Sequence, residues 1–221
     1  MKKIYSVLLI VCMMVSMFAV TWTPVDAKSK WQKLLDKYEE DEEVDSLIFV
    51  KYKGGSNAEL WMYVKDEDGL WFRILKCKAV VGRNGIDKVK QGDKKTPTGI
   101  FTPTVAFGLK KDPGAKLPYT KLNKYLYWSS SELNYNKMVD IRKQKDVRGE
   151  HLIDHNPSYT YSLDMGYNVE GVYKKGTALF MHCYGKGDYK STLGCVAVSE
   201  KNMKKILRNT STSTRICIYK K

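Results

Sequence analysis

Cysteine is scarce in this chain, and its scarcity limits how the fold can be held together. The 221 residues include five cysteines, and Cys12 lies in an N-terminal apolar segment, which leaves Cys77, Cys183, Cys195 and Cys217 for the rest of the chain. Four cysteines would allow two disulfides in an exported protein. Folds that depend on disulfides are usually smaller and richer in cysteine, and a chain of this length can bury its own core. The composition therefore favours free thiols.

Linkers and repeats are also missing. The chain has only six prolines, no stretch rich in Pro, Gly and Ser, no repeated segment and no low-complexity tract. A solenoid is therefore excluded, and a division into several independent domains has no support in the composition. The sequence predicts one main domain with a small appendage.

Acidic residues are outnumbered by basic ones. The chain has 24 Asp and Glu against 38 Lys and Arg, which gives a formal net charge of +14. No basic amphipathic helix and no module that combines aromatic residues with arginines is present, so we expect no nucleic-acid partner. An anionic cell-wall polymer or membrane surface is the candidate partner of such a charge, although the same excess could serve solubility alone.

Charged residues are absent from positions 4–20. Lys2 and Lys3 precede this apolar run, and Val25 and Ala27 follow it at the spacing of a small-residue cleavage site. The pattern predicts a secretory signal peptide over residues 1–27, and therefore a secreted, extracytoplasmic protein. Association with an anionic cell wall would suit its basic charge. The run also approaches the length of a membrane span, so an uncleaved anchor is the alternative, and it would give the protein its only contact with a membrane.

Residues 28–45 form a helical N-terminal extension in this interpretation. Trp31, Leu34, Leu35 and Tyr38 follow the spacing of one helical face, which predicts a helix over residues 28–43. The sequence leaves open whether this helix packs on the main domain or separates it from the membrane.

The main domain, residues 46–221, reads as mainly β. Short apolar segments alternate with turns, and the first three of them are close enough to form an antiparallel meander. One helix is expected in the C-terminal half over residues 199–209, with Ser199 as its N-cap. The predicted strands cover residues 47–53, 59–65, 70–81, 99–107, 151–155, 160–167, 178–183 and 214–220.

His182 and Cys195 are the candidate catalytic residues. His182 lies in an apolar strand, a polar loop follows, and Cys195 opens the next apolar run. A nearby imidazolium lowers the pKa of a thiol and so supplies the reactive thiolate. Gly194 suits a tight turn at a nucleophile, and its amide and that of Cys195 could stabilise an oxyanion. The pair lacks the paired ligand spacing of a metal site, so no metal is predicted.

The residues around this pair resemble a known family. His182 followed by Ser-Thr-Leu-Gly-Cys-Val-Ala at 191–197 resembles the active-site motif of the L,D-transpeptidase catalytic-domain (YkuD-like) family. Gly-Asp-Lys-Lys-Thr-Pro-Thr-Gly-Ile-Phe at 92–101 independently resembles an upstream segment of that family. Residues 147–167, including Asp-His-Asn-Pro at 154–157, are similar to one branch of it. The resemblance covers residues 46–221.

This resemblance implies a β-sandwich with a mixed sheet and a cysteine acyl-transferase acting on peptidoglycan stem peptides. Cys195 would be the nucleophile and His182 the general base and acid, with a backbone carbonyl as the third partner. Gly194 and Thr192 would serve the oxyanion and the substrate. The product would be a 3→3 cross-link with release of D-alanine, without cofactor or metal, in a protein expected to be a monomer.

Two alternatives remain open at this point. Water in place of an acceptor amine would make the same pair an L,D-carboxypeptidase. A chain that kept the fold and lost turnover would be a non-catalytic wall-binding protein.

Two positions depart from the common family pattern. Many members have Gly after the histidine, where this chain has Cys183, and Arg two positions after the cysteine, where it has Ala197. Strand alternation predicts that Cys183 faces the core if His182 faces the site. His155 is expected either to line the pocket or to be structural. The candidates to replace the missing arginine charge are Arg83, Lys94, Lys95 and Lys190.

Overall fold

The computed structural model of the protein describes residues 28–144, 148–186 and 189–220, so the predicted signal peptide lies outside the described residues. Within these ranges no helix is long and apolar enough to cross a membrane. Two α-helices and thirteen strands make up the described fold. They are α1 (Lys30–Lys37), β1 (Ser46–Gly54), β2 (Asn57–Lys65), β3 (Trp71–Val80), β4 (Gly99–Phe101), β5 (Ala106–Gly108), β6 (Tyr119–Lys121), β7 (Leu126–Ser129), β8 (Met138–Asp140), β9 (Gly149–His151), β10 (Ser162–Asp164), β11 (Phe180–Cys183), β12 (Val196–Val198), α2 (Glu200–Arg208) and β13 (Thr214–Lys220).

Ten strands form one mixed sheet in the order β4-β13-β1-β2-β3-β12-β11-β10-β5-β6. The predicted meander is confirmed, because β2 pairs antiparallel with both β1 and β3. The C-terminal strand β13 pairs parallel with β1, and β12 pairs parallel with β11. The prediction of a mainly β sandwich with a mixed sheet is therefore confirmed.

Residues 99–107 are not the single strand that the sequence predicts. β4 pairs with β13, while β5 pairs with β10 and β6 in another part of the sheet. Pro103, between them, has no N–H to donate to a ladder, and the chain leaves the sheet there. The prediction at 151–155 is also wrong in extent, because β9 ends at His151 and Leu152–Asp154 form a 3-10 turn.

A second sheet of three strands, in the order β8-β7-β9, covers part of the main sheet. Phe107 and Phe180 of the main sheet pack against Trp128 of β7 in a buried aromatic cluster. On the opposite face, the largest buried cluster includes Met203, Ile206 and Leu207 of α2. Ser199 caps α2 as predicted, because its Oγ accepts a hydrogen bond from Asn202 N at 3.3 Å. The main sheet is thus buried on both faces around β11 and β12.

The N-terminal helix packs on the domain. Ser29 caps α1, and Trp31 lies against Phe49 of β1 with ring centroids 5.2 Å apart. Leu34 and Tyr38 join the same buried cluster, together with Cys217 of β13. The helix is shorter than predicted, but its predicted apolar stripe is the face that it buries.

Candidate active site

His182 and Cys195 are brought together by two parallel strands. His182 lies within β11 opposite Ala197 of β12, and Cys195 directly precedes β12. Both side chains line one cleft of about 540 Å³. The cleft opens between the main sheet, the small sheet and the loop that carries Lys88 and Lys94.

His182 is buried and has a defined hydrogen-bond partner. Its Nδ1 lies 2.7 Å from the backbone oxygen of Cys183. A carbonyl oxygen can only accept, so Nδ1 carries the proton and Nε2 is the basic nitrogen of the neutral ring. The carbonyl of Cys183 therefore orients the imidazole. The resemblance implied a backbone carbonyl in this position, and the sequence could not name its residue.

The wall beside His182 is an aromatic and charged network. The ring of Tyr159 meets the imidazole of His182 nearly edge-on, with centroids 5.6 Å apart. The hydroxyl of Tyr159 donates to Glu150 Oε1, and His155 Nε2 lies 3.3 Å from the same oxygen. His155, Glu150 and Tyr159 all line the cleft. Of the two roles that the sequence left open for His155, the structure thus gives it a place in the pocket.

The thiol of Cys195 rests on the backbone that leads into β11. Its Sγ lies 3.3 Å from the carbonyl oxygen of Ala178 and 3.4 Å from the amide nitrogen of Phe180. Ala178 has a φ of 56°, a left-handed conformation that is uncommon for a residue with a side chain. Asn136 Oδ1 accepts the Ala178 N–H at 3.1 Å and so stabilises this conformation beside the thiol.

The turn before Cys195 explains the requirement for Gly194. Gly194 has a φ of 139°, and a Cβ there would lie 2.9 Å from both Leu179 Cδ1 and the carbonyl oxygen of Lys95. Thr192 Oγ1 donates to the carbonyl of Cys195 at 2.7 Å and accepts the Gly194 N–H at 3.1 Å. In this conformation the Gly194 amide is directed at Thr192, and its role as an oxyanion donor stays a prediction.

The upstream motif at 92–101 contacts the cysteine turn directly. Thr96 Oγ1 accepts the Gly82 N–H at 2.9 Å and donates to the Cys195 carbonyl at 3.4 Å. The carbonyl of Lys95 faces the bare Cα of Gly194. The two motifs that the sequence separates by about ninety positions therefore form one packed unit.

Asp93 organises the loop of that upstream motif. Its carboxylate accepts hydrogen bonds from three backbone amides, those of Val89, Lys90 and Lys95, and pairs with Lys88 Nζ at 2.8 Å. Burial alone would raise the pKa of Asp93, but the bonds from Lys88 and the amides outweigh it and hold that pKa well below the usual range. The acidic residue of the motif thus fixes the loop that forms one wall of the cleft.

The missing arginine leaves a small, fully buried side chain. Ala197 pairs with His182 on one side and with Val80 of β3 on the other, and it has no exposed surface. Of the four cations expected as replacements, Lys94 lines the cleft. Arg83, Lys95 and Lys190 are not among the described residues that line it.

The other three described cysteines lie outside the cleft. All four are free thiols, and Cys183 faces the core as strand alternation predicts. Burial raises the pKa of Cys77 to about 11 and those of Cys183 and Cys217 to about 12. Across residues 28–144, 148–186 and 189–220, His, Cys, Asp and Glu side chains form no group of three that could hold a metal ion.

Several residues of the site were missed by sequence reasoning. Glu150, Tyr159 and Trp128 line the cleft, and Asn136 supports it. Glu150 and Tyr159 lie in the segment 147–167 that resembles a branch of the family, whereas Trp128 and Asn136 lie outside it. A single sequence gives no signal for which of these side chains reach the cleft.

Comparison with known proteins supplies the family. Residues 48–218 match the model of the YkuD family, the L,D-transpeptidase catalytic domain. No curated protein matches the chain. The solved structure of the helical cell shape determining protein Pgp2 (K307A mutant) from Campylobacter jejuni is similar, with a TM-score of 0.45 and 18% identity over 81% of this chain and 48% of that one. The chain thus spans about half the length of that protein.

Proposed function

This chain belongs to the family of L,D-transpeptidase catalytic domains, and we propose that it is a cysteine acyl-transferase that forms 3→3 cross-links between peptidoglycan stem peptides. D-alanine is the leaving group. The enzyme acts as a monomer on the cell wall, outside the cytoplasm. The family acts on peptidoglycan, which supports the substrate class.

One observation carries the proposal. The side chains of Cys195 and His182 line the same cleft, and the Nδ1–H of His182 is held by the Cys183 carbonyl so that Nε2 is the basic nitrogen. A nucleophile, a base and a group that orients the base are the parts that acyl transfer requires. Thr96 and Thr192 both bond to the Cys195 carbonyl and support the nucleophile from two sides.

The first half-reaction forms a thioester. His182 Nε2 takes the proton of the Cys195 thiol, and the thiolate attacks the carbonyl carbon between the third stem residue and the terminal D-alanine. The turn at 192–195 bears the developing oxyanion, with the Cys195 amide as one donor and the Gly194 amide as a second once it leaves Thr192 Oγ1. The imidazolium then gives its proton to the D-alanine nitrogen as the C–N bond breaks. Lys94, which lines the cleft, would attract the carboxylate of that D-alanine.

The second half-reaction regenerates the enzyme. A neutral side-chain amine of a neighbouring stem attacks the thioester carbon, His182 removes a proton from that amine, and the C–S bond breaks. The thiolate leaves and takes up the proton from the imidazolium. Water in place of the amine would give a tripeptide, which is the carboxypeptidase outcome of the same chemistry.

Mass spectrometry of muropeptide digests tests the proposal. The purified protein is incubated with tetrapeptide muropeptides, and Cys195→Ala and His182→Ala are run beside it. We expect cross-linked dimers that have lost one D-alanine, and no product from Cys195→Ala. The Cys77→Ala variant, which removes a thiol that does not line the cleft, is the matched control and should remain active.

The remaining outcomes separate the alternatives. Tripeptides without dimers would replace the transpeptidase by an L,D-carboxypeptidase. Absence of both an acyl-enzyme and any product, over several stem chemistries, would leave a non-catalytic wall-binding protein.

A further inference from the structure

Basic side chains collect on one face of the meander β1–β2–β3. Strand register pairs Lys51 with Glu59 and Trp61 with Lys76, and paired residues point to the same side of a sheet. Arg73 lies opposite Tyr63 of the same row of side chains. Five cationic side chains form what we call the basic face: Lys51, Lys53, Arg73, Lys76 and Lys78.

The charge of this face is almost unopposed. Among the side chains that the described strands β1–β3 direct to it, Glu59 is the one carboxylate. Glu59 lies 3.8 Å from Lys53 Nζ and 3.5 Å from Lys76 Nζ, so it is shared between two cations. The face therefore keeps an excess of four positive charges within three adjacent strands.

Trp61 holds the cations together where carboxylates are missing. Lys51 Nζ lies 3.1 Å from the centroid of the Trp61 ring, Arg73 lies 4.8 Å from it and Lys76 lies 5.3 Å from it. An aromatic face attracts cations without neutralising them. The cluster thus stays positively charged and able to receive an anion.

Lys51 is the most unusual member of the face. The residue is only 6% exposed, and in the described chain no carboxylate lies within ion-pair distance of its ammonium. Burial, opposed by the charge of Glu59 and reinforced by the nearby charges of Lys53, Arg73 and Lys76, lowers the pKa of Lys51 to about 8. An anion placed on this face would relieve that repulsion and hold Lys51 in its charged form.

The face is open to solvent beside α1. Trp31 of α1 covers Phe49 and Tyr219, which lie on β1 and β13. The side chains toward β3 are left uncovered, and Lys53, Arg73, Lys76 and Lys78 are all exposed.

The basic face and the cleft share one side of the main sheet. Lys76, Lys78 and Val80 alternate to the same side of β3. Val80 pairs with Ala197, and Ala197 pairs with His182, so this row of side chains runs from β3 to the candidate base. A long ligand seated across β1–β3 would therefore lie on the surface that leads to the cleft.

We infer that the basic face is a binding site for a phosphodiester-linked anionic polymer of the cell wall. The cations form two rows, one on β1 and one on β3, which lie about 9.6 Å apart on either side of β2, and cations two residues apart along a strand are about 6.6 Å apart. Two such rows match a ligand with regularly repeated charges better than a single anion. Arg73 supplies the planar fork that suits phosphate oxygens. The choice of a wall polymer rests on the proposed location of the enzyme but not on its turnover. The site would keep the enzyme on its insoluble substrate.

Binding of synthetic poly(glycerol phosphate) by the full protein carrying Cys195→Ala tests the inference independently of catalysis. The triple variant Lys53→Gln, Arg73→Gln and Lys76→Gln removes three exposed cations of the face. We expect its affinity to fall by about tenfold or more, and the slope of log affinity against log salt to become shallower by about 2. Thermal unfolding of the variant checks that it is folded.

A charge-matched variant is the control for net charge. Lys111→Gln, Lys121→Gln and Lys201→Gln remove three exposed cations that lie outside the basic face and outside the cleft. This variant should lose much less affinity. Equal losses in the two triple variants would overturn the site, because net charge alone would then explain the binding.

Other polyanions form the remaining arms of the experiment. Phosphatidylglycerol vesicles and duplex DNA are compared with the polymer at equal phosphate concentration. Tighter binding of either one through the same three cations would replace the wall polymer as the partner and overturn the inference. If the parent protein shows no muropeptide turnover but polymer binding persists, the proposed function is refuted and this site still stands.

Discussion

At the scale of single residues, the described thiols differ sharply in their surroundings. Cys195 lies in the cleft beside His182, while the pKa of Cys77 is raised to about 11 and those of Cys183 and Cys217 to about 12 by burial. Near neutral pH we expect iodoacetamide to label Cys195 first, because only thiolates react appreciably. His182→Ala should slow that labelling by about tenfold or more. Peptide mass spectrometry of timed samples measures both rates.

The control for this labelling is Cys195→Ala, which should leave the protein almost unlabelled over the same period. Faster labelling of Cys77 than of Cys195 in the parent protein would contradict the assignment of the nucleophile. An unchanged rate in His182→Ala would remove His182 as the base that activates it.

The Lys88–Asp93 pair gives a second prediction at this scale. The Lys88 side chain is 2% exposed, and its ammonium pairs with Asp93. Asp93→Ala would leave that ammonium buried without its carboxylate, which costs about 3–5 kcal/mol of the free energy of unfolding. Urea denaturation followed by tryptophan fluorescence measures the loss.

The matched variant for the Lys88–Asp93 pair carries Lys88→Met together with Asp93→Ala. Because no buried charge is left unpaired, this double variant should recover a substantial part of the stability. Equal instability of the single and double variants would show that Asp93 acts through its three backbone amide bonds rather than through the ion pair.

At the scale of secondary-structure elements, Asp164 joins β10 to the segment before β5. It accepts a hydrogen bond from Thr104 Oγ1, and burial raises its pKa to about 6. The folded state then binds a proton more tightly than the unfolded state, in which an Asp has a pKa of about 3.9. Its contribution to stability is therefore full below pH 4 and is lost as the pH rises through 6, a change of about 3 kcal/mol.

Chemical denaturation between pH 4 and 7 measures this Asp164 effect. Asp164→Asn should flatten the decline, because the amide does not titrate. Thr104→Val removes a hydrogen bond that favours the carboxylate, so it should move the decline to higher pH. A decline that persists unchanged in Asp164→Asn would assign it to another group.

The elements also show which parts of the structure the sequence encodes locally. β1, β2 and β13 have seven to nine residues each, long enough for their apolar patterns to be recognised, and α2 carries both its cap and its apolar face in one short segment. His182 and Cys195 could be paired because their motif is contiguous, and family resemblance supported the pair. The strands of the small sheet have three or four residues each, which is too short for a visible alternation. Glu150 and Tyr159 reach the cleft only through tertiary packing, so nothing in the local pattern indicated them.

At the scale of the whole molecule, the last strand of the chain supports the first. β13 lies between β4 and β1 within the main sheet, and Cys217 on it packs with α1. Cys183, on β11 at the other side of β3 and β12, is buried in the cluster under α2. The sheet therefore connects the N-terminal helix to the strand that carries His182.

Because the main sheet is continuous, we expect it to unfold as one cooperative unit, although folding intermediates become common in chains longer than about 100–150 residues. The buried Cys183 and Cys217 and the half-buried Cys77 are reporters at three places on the sheet, and the Cys195→Ala background removes the cleft thiol. In pulsed thiol labelling across a urea series, all three thiols should become reactive at one midpoint, coincident with the loss of tryptophan fluorescence.

α1 and β13 bury Cys217 together. If Cys217 becomes reactive at a lower urea concentration than Cys183, this end of the sheet unfolds separately. The basic face on β1–β3 would then belong to a less stable unit than the cleft, and ligand binding there should raise the midpoints of Cys217 and of Cys77 on β3 but not that of Cys183.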